Sequence, residues 1–153
     1  MGLDMYLKKR TYVGANYDHN NVKGSIYLTV GKNCKELPIQ LNRVSYIEEN
    51  VGYWRKANHI HAWFVENVQN GVDDCKSYHV DKSKLEELLQ VCETVLKERE
   101  NATELLPTQP GFFFGSTDYD EYYYNDCAKT VEIISNLLKE DNSEADFEYM
   151  ASW

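Results

Sequence analysis

Tyr53-Trp54-Arg55-Lys56-Ala57-Asn58-His59-Ile60-His61-Ala62-Trp63-Phe64-Val65 is the stretch on which the reading of the chain turns. At about 100° per residue, Trp54, Ala57, Ile60, Phe64, Val65 and Val68 fall in one sector, which predicts an amphipathic helix from Trp54 to Val68. His61 lies near the middle of that sector, Asn58 lies at its edge, and His59 is expected on the exposed side. His61 is then either a core histidine or part of a pocket wall, since pockets mix apolar surface with a few polar groups. Asn70-Gly71 supplies the stop, glycine accepting the left-handed conformation that ends helices.

Outward from this helix, the pattern alternates between period two and period 3.6. Leu3, Met5 and Leu7 share one face of a strand that runs to about Val13. Gly14 to Asn21 is a loop rich in turn formers. Ile26, Leu28 and Val30 mark a second strand, Ser25 to Val30, expected antiparallel to the first. Gly31-Lys32-Asn33 turns the chain, Pro38 keeps Leu37 to Leu41 at an edge or in a loop, and Arg43 to Val51 reads as a third strand. Beyond the central helix, Lys76 to Val80 fits a short strand, and Asp81 is placed to cap a helix over Lys82–Arg99 with Leu85, Leu88, Cys92 and Val95 inward. Asn101 to Pro110 is expected to be a linker. A third helix is expected from Asp118 to Lys139, and Ala145, Phe147, Tyr149, Ala151 and Trp153 alternate along a last strand expected to close the sheet. Strands and helices are largely segregated, so the fold class is α+β: one domain, residues 1–153, with an antiparallel sheet of three to five strands covered by three helices.

Composition narrows the function classes. A chain of 153 residues buries roughly 70% of its unfolded surface as one domain. No apolar run approaches the roughly 18 residues that span a bilayer, and Met1 to Val13 does not resemble a secretory signal, so a cytosolic setting is expected. Cys34, Cys75, Cys92 and Cys127 stand too far apart for a zinc ribbon and are expected to be reduced structural thiols. The net charge of −9 is uneven: residues 1–99 hold 14 Lys and Arg against 13 Asp and Glu, whereas residues 100–153 hold 2 against 12. An acidic C-terminal third disfavours binding to duplex phosphates, which needs basic groups facing the helix. It either keeps the protein soluble or meets a basic partner surface.

A second stretch, Gly111-Phe112-Phe113-Phe114-Gly115-Ser116-Thr117-Asp118-Tyr119-Asp120, joins a glycine-flanked aromatic run to the expected start of the third helix. Free amides and the dipole at a helix N-terminus favour an anion. Against this, Asp118 with Glu121, or Thr117 with Asp120, makes a capping box whose carboxylates already take the amides. The 12 tyrosines, 5 phenylalanines and 3 tryptophans exceed what a core of this size needs, and exposed rings stack on bases.

Enzyme signatures are missing. His59 and His61 are about 200° apart on a helix and do not share a ligand sphere. The chain holds no HExxH, Walker loop, GxGxxG or GxSxG. Asp73-Asp74 and Asp118, Asp120 and Glu121 are carboxylates placed for acid–base work, or solvated turn and cap acids. No metal or cofactor is expected.

Met1-Gly2-Leu3-Asp4-Met5-Tyr6-Leu7, the Tyr53 to Phe64 stretch, and Leu106-Pro107-Thr108-Gln109 with Gly111 to Asp120 together resemble a family of small proteins encoded by bacteriophages and prophages, over most of the chain. The resemblance implies a phage context and the host cytosol, and carries over no catalytic residue. Small phage proteins often counter host defence, by sequestering nucleotide signals or by blocking a defence protein. Two functions are therefore carried forward, with an enzyme of unknown reaction third. In the first, Trp54, Arg55, Asn58, His61, Gly115, Ser116, Thr117 and Asp118 line a site for a small phosphorylated, nucleotide-derived ligand. In the second, the acidic third, through Glu132, Glu140, Asp141 and Glu144, inhibits a host protein.

Overall fold

The computed structural model describes residues 2–14, 28–30, 35–37 and 39–153. Its first strand, β1 (Asp4–Tyr12), buries Met5 and Leu7, with Leu3 just before it, as the period-two pattern requires. Two short strands, β2 (Leu28–Val30) and β3 (Lys35–Leu37), pair with each other as a separate antiparallel ribbon. Both edges of β1 are taken by other strands, so β2 is not the neighbour that chain order suggested. Residues 15–27, 31–34 and 38 lie outside the described set, and with them most of the expected loop, the turn, Cys34 and Pro38.

The third strand expected at 43–51 is longer than its pattern implied. A 3-10 turn at Leu41–Arg43 leads into β4 (Tyr46–Arg55), which pairs antiparallel with β1 so that Met5 faces Trp54 and Asp4 faces Arg55. Trp54 and Arg55 are therefore strand residues, and the helix expected from Trp54 begins only at α1 (Asn58–Asn67). The reason is an ambiguity of period. Tyr53 out, Trp54 in and Arg55 out satisfies alternation as well as it satisfies a helical stripe, and the ladder to β1 decides between them. Lys56, at φ 60°, breaks the strand after its amide donates to the Leu3 carbonyl at 2.8 Å.

α1 is buried on nearly every side: Asn58, His59, Ile60, His61, Trp63, Phe64 and Val65 are all inside. His59 is consequently buried, contrary to the exposure that a one-sided helix implies. The helix ends as expected, with Asn70 and Gly71 in the left-handed region and the Gly71 amide on the Val65 carbonyl at 2.8 Å.

β5 (Tyr78–Val80) follows, and then α2 (Lys82–Lys97), with Leu85, Leu88, Cys92 and Val95 buried. Asp81 occupies the N-cap position of α2 without a side-chain bond to its amides. The expected linker instead holds a 3-10 turn at Arg99–Asn101 and a single-turn helix, α3 (Ala102–Leu105), anchored by buried Ala102 and Leu106. α4 (Glu121–Lys139) packs on α2, and β6 (Ala145–Ser152) ends the chain.

The sheet order is β4-β1-β6-β5, all antiparallel, so the last strand inserts between β1 and β5 instead of closing an edge. One face of this sheet, with Leu7, Trp54, Phe147 and Tyr149, joins the inner sides of α1, α2 and α4 in a single core. Phe64 stacks on Tyr149 at 3.9 Å with rings 9° apart, a pairing that contributes about 1 kcal/mol beyond area burial. The α+β class holds, with four α-helices among the described residues where three were expected.

Candidate functional site

Where β4 ends, the chain passes Arg55 and Lys56 into α1, and the 111–120 loop comes to rest against it. Asn58 is the staple. Its side-chain amide donates to the carbonyls of Phe114 at 3.0 Å and Ser116 at 2.7 Å, and its carbonyl oxygen accepts from the Gln109 amide at 3.0 Å. The Leu3 amide adds a bond to the Phe113 carbonyl at 3.2 Å. Gly115, at φ 90°, lies so close to Lys56 that an added Cβ would sit 3.1 Å from the lysine Cβ, in a backbone conformation that side chains resist. The loop is thereby fixed on the end of the sheet.

This arrangement leaves a cleft of about 470 Å3 between the β4–α1 junction, the loop and the first turns of α4. Arg55, Lys56, Asn58 and His59 line one side. Gly115, Ser116, Asp118 and Asp120 line the loop, and Tyr122, Tyr123, Asn125 and Asp126 come from the helix. Of the residues expected at a site, the structure thus brings together Arg55, Asn58, Gly115, Ser116 and Asp118. Thr117 is not in the wall; its carbonyl accepts from the Thr108 hydroxyl at 3.1 Å.

Trp54 and His61 are elsewhere. Trp54 lies in the core with its indole N–H donating to the Thr130 hydroxyl at 2.8 Å. His61 is fully buried between Tyr149, whose hydroxyl is 2.8 Å from Nδ1, and Asp73, whose Oδ2 is 3.0 Å from Nε2. One arrangement satisfies both contacts with a single ring proton: Nε2–H donates to Asp73 and the Tyr149 hydroxyl donates to Nδ1. Burial, with Asp73 nearby, holds the Tyr149 hydroxyl well above its ordinary range, so it keeps that proton. Of the two readings of His61, the core histidine is the one the contacts support.

Of the two readings of the helix N-terminus, anion binding and self-capping, the contacts support capping, though not through the pairs expected. α4 begins at Glu121, and Asp120 is its cap: Oδ1 accepts from the amides of Tyr122 at 3.0 Å and Tyr123 at 3.1 Å. Such a cap stabilises the helix by about 1 kcal/mol and takes the donors a phosphate would use. Ser116 and Asp118 are paired through their side chains at 2.9 Å, a local turn and not a capping box.

Two groups in the cleft are electrostatically displaced. Burial lowers His59 to about 3, so its imidazole stays neutral at physiological pH. Only 3% exposed, its ring lies 4.1 Å from that of Tyr123, and Nε2 has no hydrogen-bond partner among the described residues, an omission that costs about 1–3 kcal/mol. Asp126 is raised to about 6, chiefly by burial and further by Asp120, with Lys129 opposing.

The residues that sequence reasoning missed are Lys56, His59, Tyr122, Tyr123, Asn125 and Asp126. Tyr122, Asn125, Asp126 and Lys129 stand at i, i+3, i+4 and i+7, a polar stripe on a helix otherwise recognised by its apolar one, and that spacing was the available signal. No family model, curated protein or solved structure matches the chain.

Proposed function

We propose that the protein binds a small phosphorylated, nucleotide-derived ligand in the cleft between the β4–α1 junction and α4, and holds it without turnover. The observation that carries this reading is the state of two cations. Lys8, Lys9, Arg10, Lys76, Lys84 and Arg99 are each engaged by a carboxylate. Arg55 and Lys56 share with Arg43, Lys82, Lys97 and Lys139 the lack of a side-chain hydrogen bond or ion pair among the described residues, but of these six only Arg55 and Lys56, side by side, line the cleft. A guanidinium and an ammonium left open at a concave site suit a phosphate, which accepts charge-assisted bonds from both.

The rest of the cleft fits the remainder of such a ligand. Tyr122, 81% exposed, offers a ring for stacking. Asp118 and Asp126 are acceptors for the hydroxyls of a sugar or the amino groups of a base. The three carboxylates of the wall, counting Asp120, outnumber the two cations, which favours one phosphate group over a polyphosphate chain. About 470 Å3 lies within the range of small-molecule sites. The lack of HExxH, Walker, GxGxxG and GxSxG motifs is what supports reading the site as one for binding without chemistry. In the phage setting that the family resemblance implies, the role is withdrawal of a host defence signal.

Native mass spectrometry of the purified protein against mono-, di- and cyclic oligonucleotides tests the reading. Submicromolar binding of an intact ligand, lost in Arg55→Ala, supports it. Failure of the whole panel, with a host protein captured through the acidic C-terminal third, puts the inhibitor in its place.

A further inference from the structure

β4 is the outermost strand of its sheet and pairs with β1 along one side only. From Tyr46 to Arg55 the other side presents backbone N–H and C=O groups that bond to none of the described residues. Exposed edges are usually short. This one is 10 residues long, and three of the eight large apolar side chains exposed among the described residues, Tyr46, Ile47 and Tyr53, lie on it. α4 runs beside the edge. Val51 on the strand and Lys129, Glu132, Ile133, Leu137 and Glu140 on the helix wall a groove of about 360 Å3, and none of them lines the cleft at the β4–α1 junction. The ladder to β1 slips by one residue at Val51, so the regular run open to a new strand is Tyr46–Asn50. Lys9 pairs with Glu49 across the ladder and bonds to Glu140 at 2.8 Å, which fixes the end of α4 beside that run.

We infer that this edge takes an extended, basic segment of a partner protein as a fifth strand of the sheet. Main-chain bonds to β4 anchor such a strand, and the side chains on its helix-facing side select it. Apolar residues there meet Val51, Ile133 and Leu137. The call for lysine or arginine comes from charge. Glu48 is held by Lys8 and Arg10, and Glu140 by Lys9, but Glu49 and Glu132, both exposed, have no ion pair or hydrogen bond among the described residues. Lys129, the cation of the groove, lies over the Tyr53 ring. A second copy of the chain does not meet the requirement, because it brings the same glutamates to the edge on a molecule of net charge −9. The inference is independent of the ligand cleft and stands or falls without it.

The probe is the end-capped octapeptide Lys-Lys-Val-Val-Lys-Lys-Val-Val, which as a strand presents lysine and valine in turn on each face. Titrated into the isotopically labelled protein, it is expected to bind saturably in the micromolar range and to shift the backbone amides of residues 46–51 and 129–140. Its fully N-methylated form keeps the charge and the side chains but has no donors for a ladder, and is expected to bind at least about tenfold more weakly. Glu132→Lys is expected to weaken the native peptide about tenfold, whereas Glu86→Lys, the same change of charge on the exposed side of α2, is expected to cost less than about twofold. Arg55→Ala is expected to leave peptide binding unchanged. Absence of binding, shifts that gather elsewhere, equal affinity for the methylated peptide, or equal losses in the two lysine variants each overturn the inference. A dimer of the native protein that Ile47→Lys dissociates, read by sedimentation, places a second copy on the edge and overturns it as well.

Discussion

His59 and His61 sit two residues apart on one short helix, both are buried, and their surroundings treat them in opposite ways. His61 has a partner at each nitrogen, Tyr149 from the sheet and Asp73 from the loop after the helix, and no contact with the cleft. His59 has an Nε2 without a partner among the described residues and lines both depressions beside α1, of about 470 and 620 Å3. Burial alone therefore does not say what a histidine does. The bonds available to its nitrogens separate an imidazole that holds a fold together from one held ready for something else.

Replacing each histidine is the strongest way to break that contrast. His61→Ala removes a buried ring and leaves the Tyr149 hydroxyl and the Asp73 carboxylate without their partner, so a loss of about 3 kcal/mol or more is expected in denaturant unfolding. His59→Phe fills the same space and removes an unsatisfied nitrogen, so it is expected to change stability by less than about 1 kcal/mol. Equal losses would show that both residues serve the fold.

Acid is the next largest lever. His59 is near 3 in the folded protein against an ordinary 6.5, so between these values the unfolded chain takes up a proton that the folded one refuses. Its contribution is fully present above pH 6.5 and is lost as the pH falls, at about 1.4 kcal/mol per unit. Unfolding curves at pH 6.5 and 4.5 are expected to show that loss in the native protein and not in His59→Phe. An identical pH dependence in the two would mean that the imidazole is solvated.

Asp126 runs the other way and is smaller. Its folded value of about 6 lies above the ordinary 3.8, so the folded protein binds the proton first and gains stability as the pH falls through 6. Asp126→Asn is expected to raise stability by about 1 kcal/mol at pH 8 and by nothing at pH 4, measured by thermal melts. A destabilised asparagine variant at pH 8 would reveal a partner for the carboxylate.

How much of this was legible beforehand divides along the same line. Period-two alternation located β1 and β6, and the Leu85, Leu88, Cys92, Val95 stripe located α2, because those elements have one wet face and one dry one. α1 has almost no wet face, so its pattern carried no information about which histidine was buried, and Trp54 fitted strand and helix alike. The site was half visible. Arg55, Asn58, Gly115, Ser116 and Asp118 were expected together and meet at the cleft, though Asn58 is spent on holding the loop. Trp54 was drawn into the expected site by a helical phase that the β1–β4 ladder overrode, whereas His61 keeps its inward phase on α1 and meets Tyr149 and Asp73 instead of the cleft. The order of β6 between β1 and β5 depends on long-range pairing that no local pattern encodes.

The smallest expected effect on folding is at Tyr122. With 81% of its surface exposed, Tyr122→Ala is expected to stay within about 0.5 kcal/mol of the native stability while weakening ligand binding. Calorimetry on the folded variant separates the two, and unchanged affinity would remove the ring from the site.

The most direct test of a ligand cleft at the β4–α1 junction is a nuclear magnetic resonance titration of the isotopically labelled protein with a nucleoside 5′-monophosphate, following backbone amides and imidazole nitrogens. Shifts are expected at residues 55–59, 115–118 and 122–126 and at the His59 nitrogens, with His61 unmoved. Saturable shifts that leave those residues still and gather elsewhere, or movement of His61 in place of His59, would contradict it.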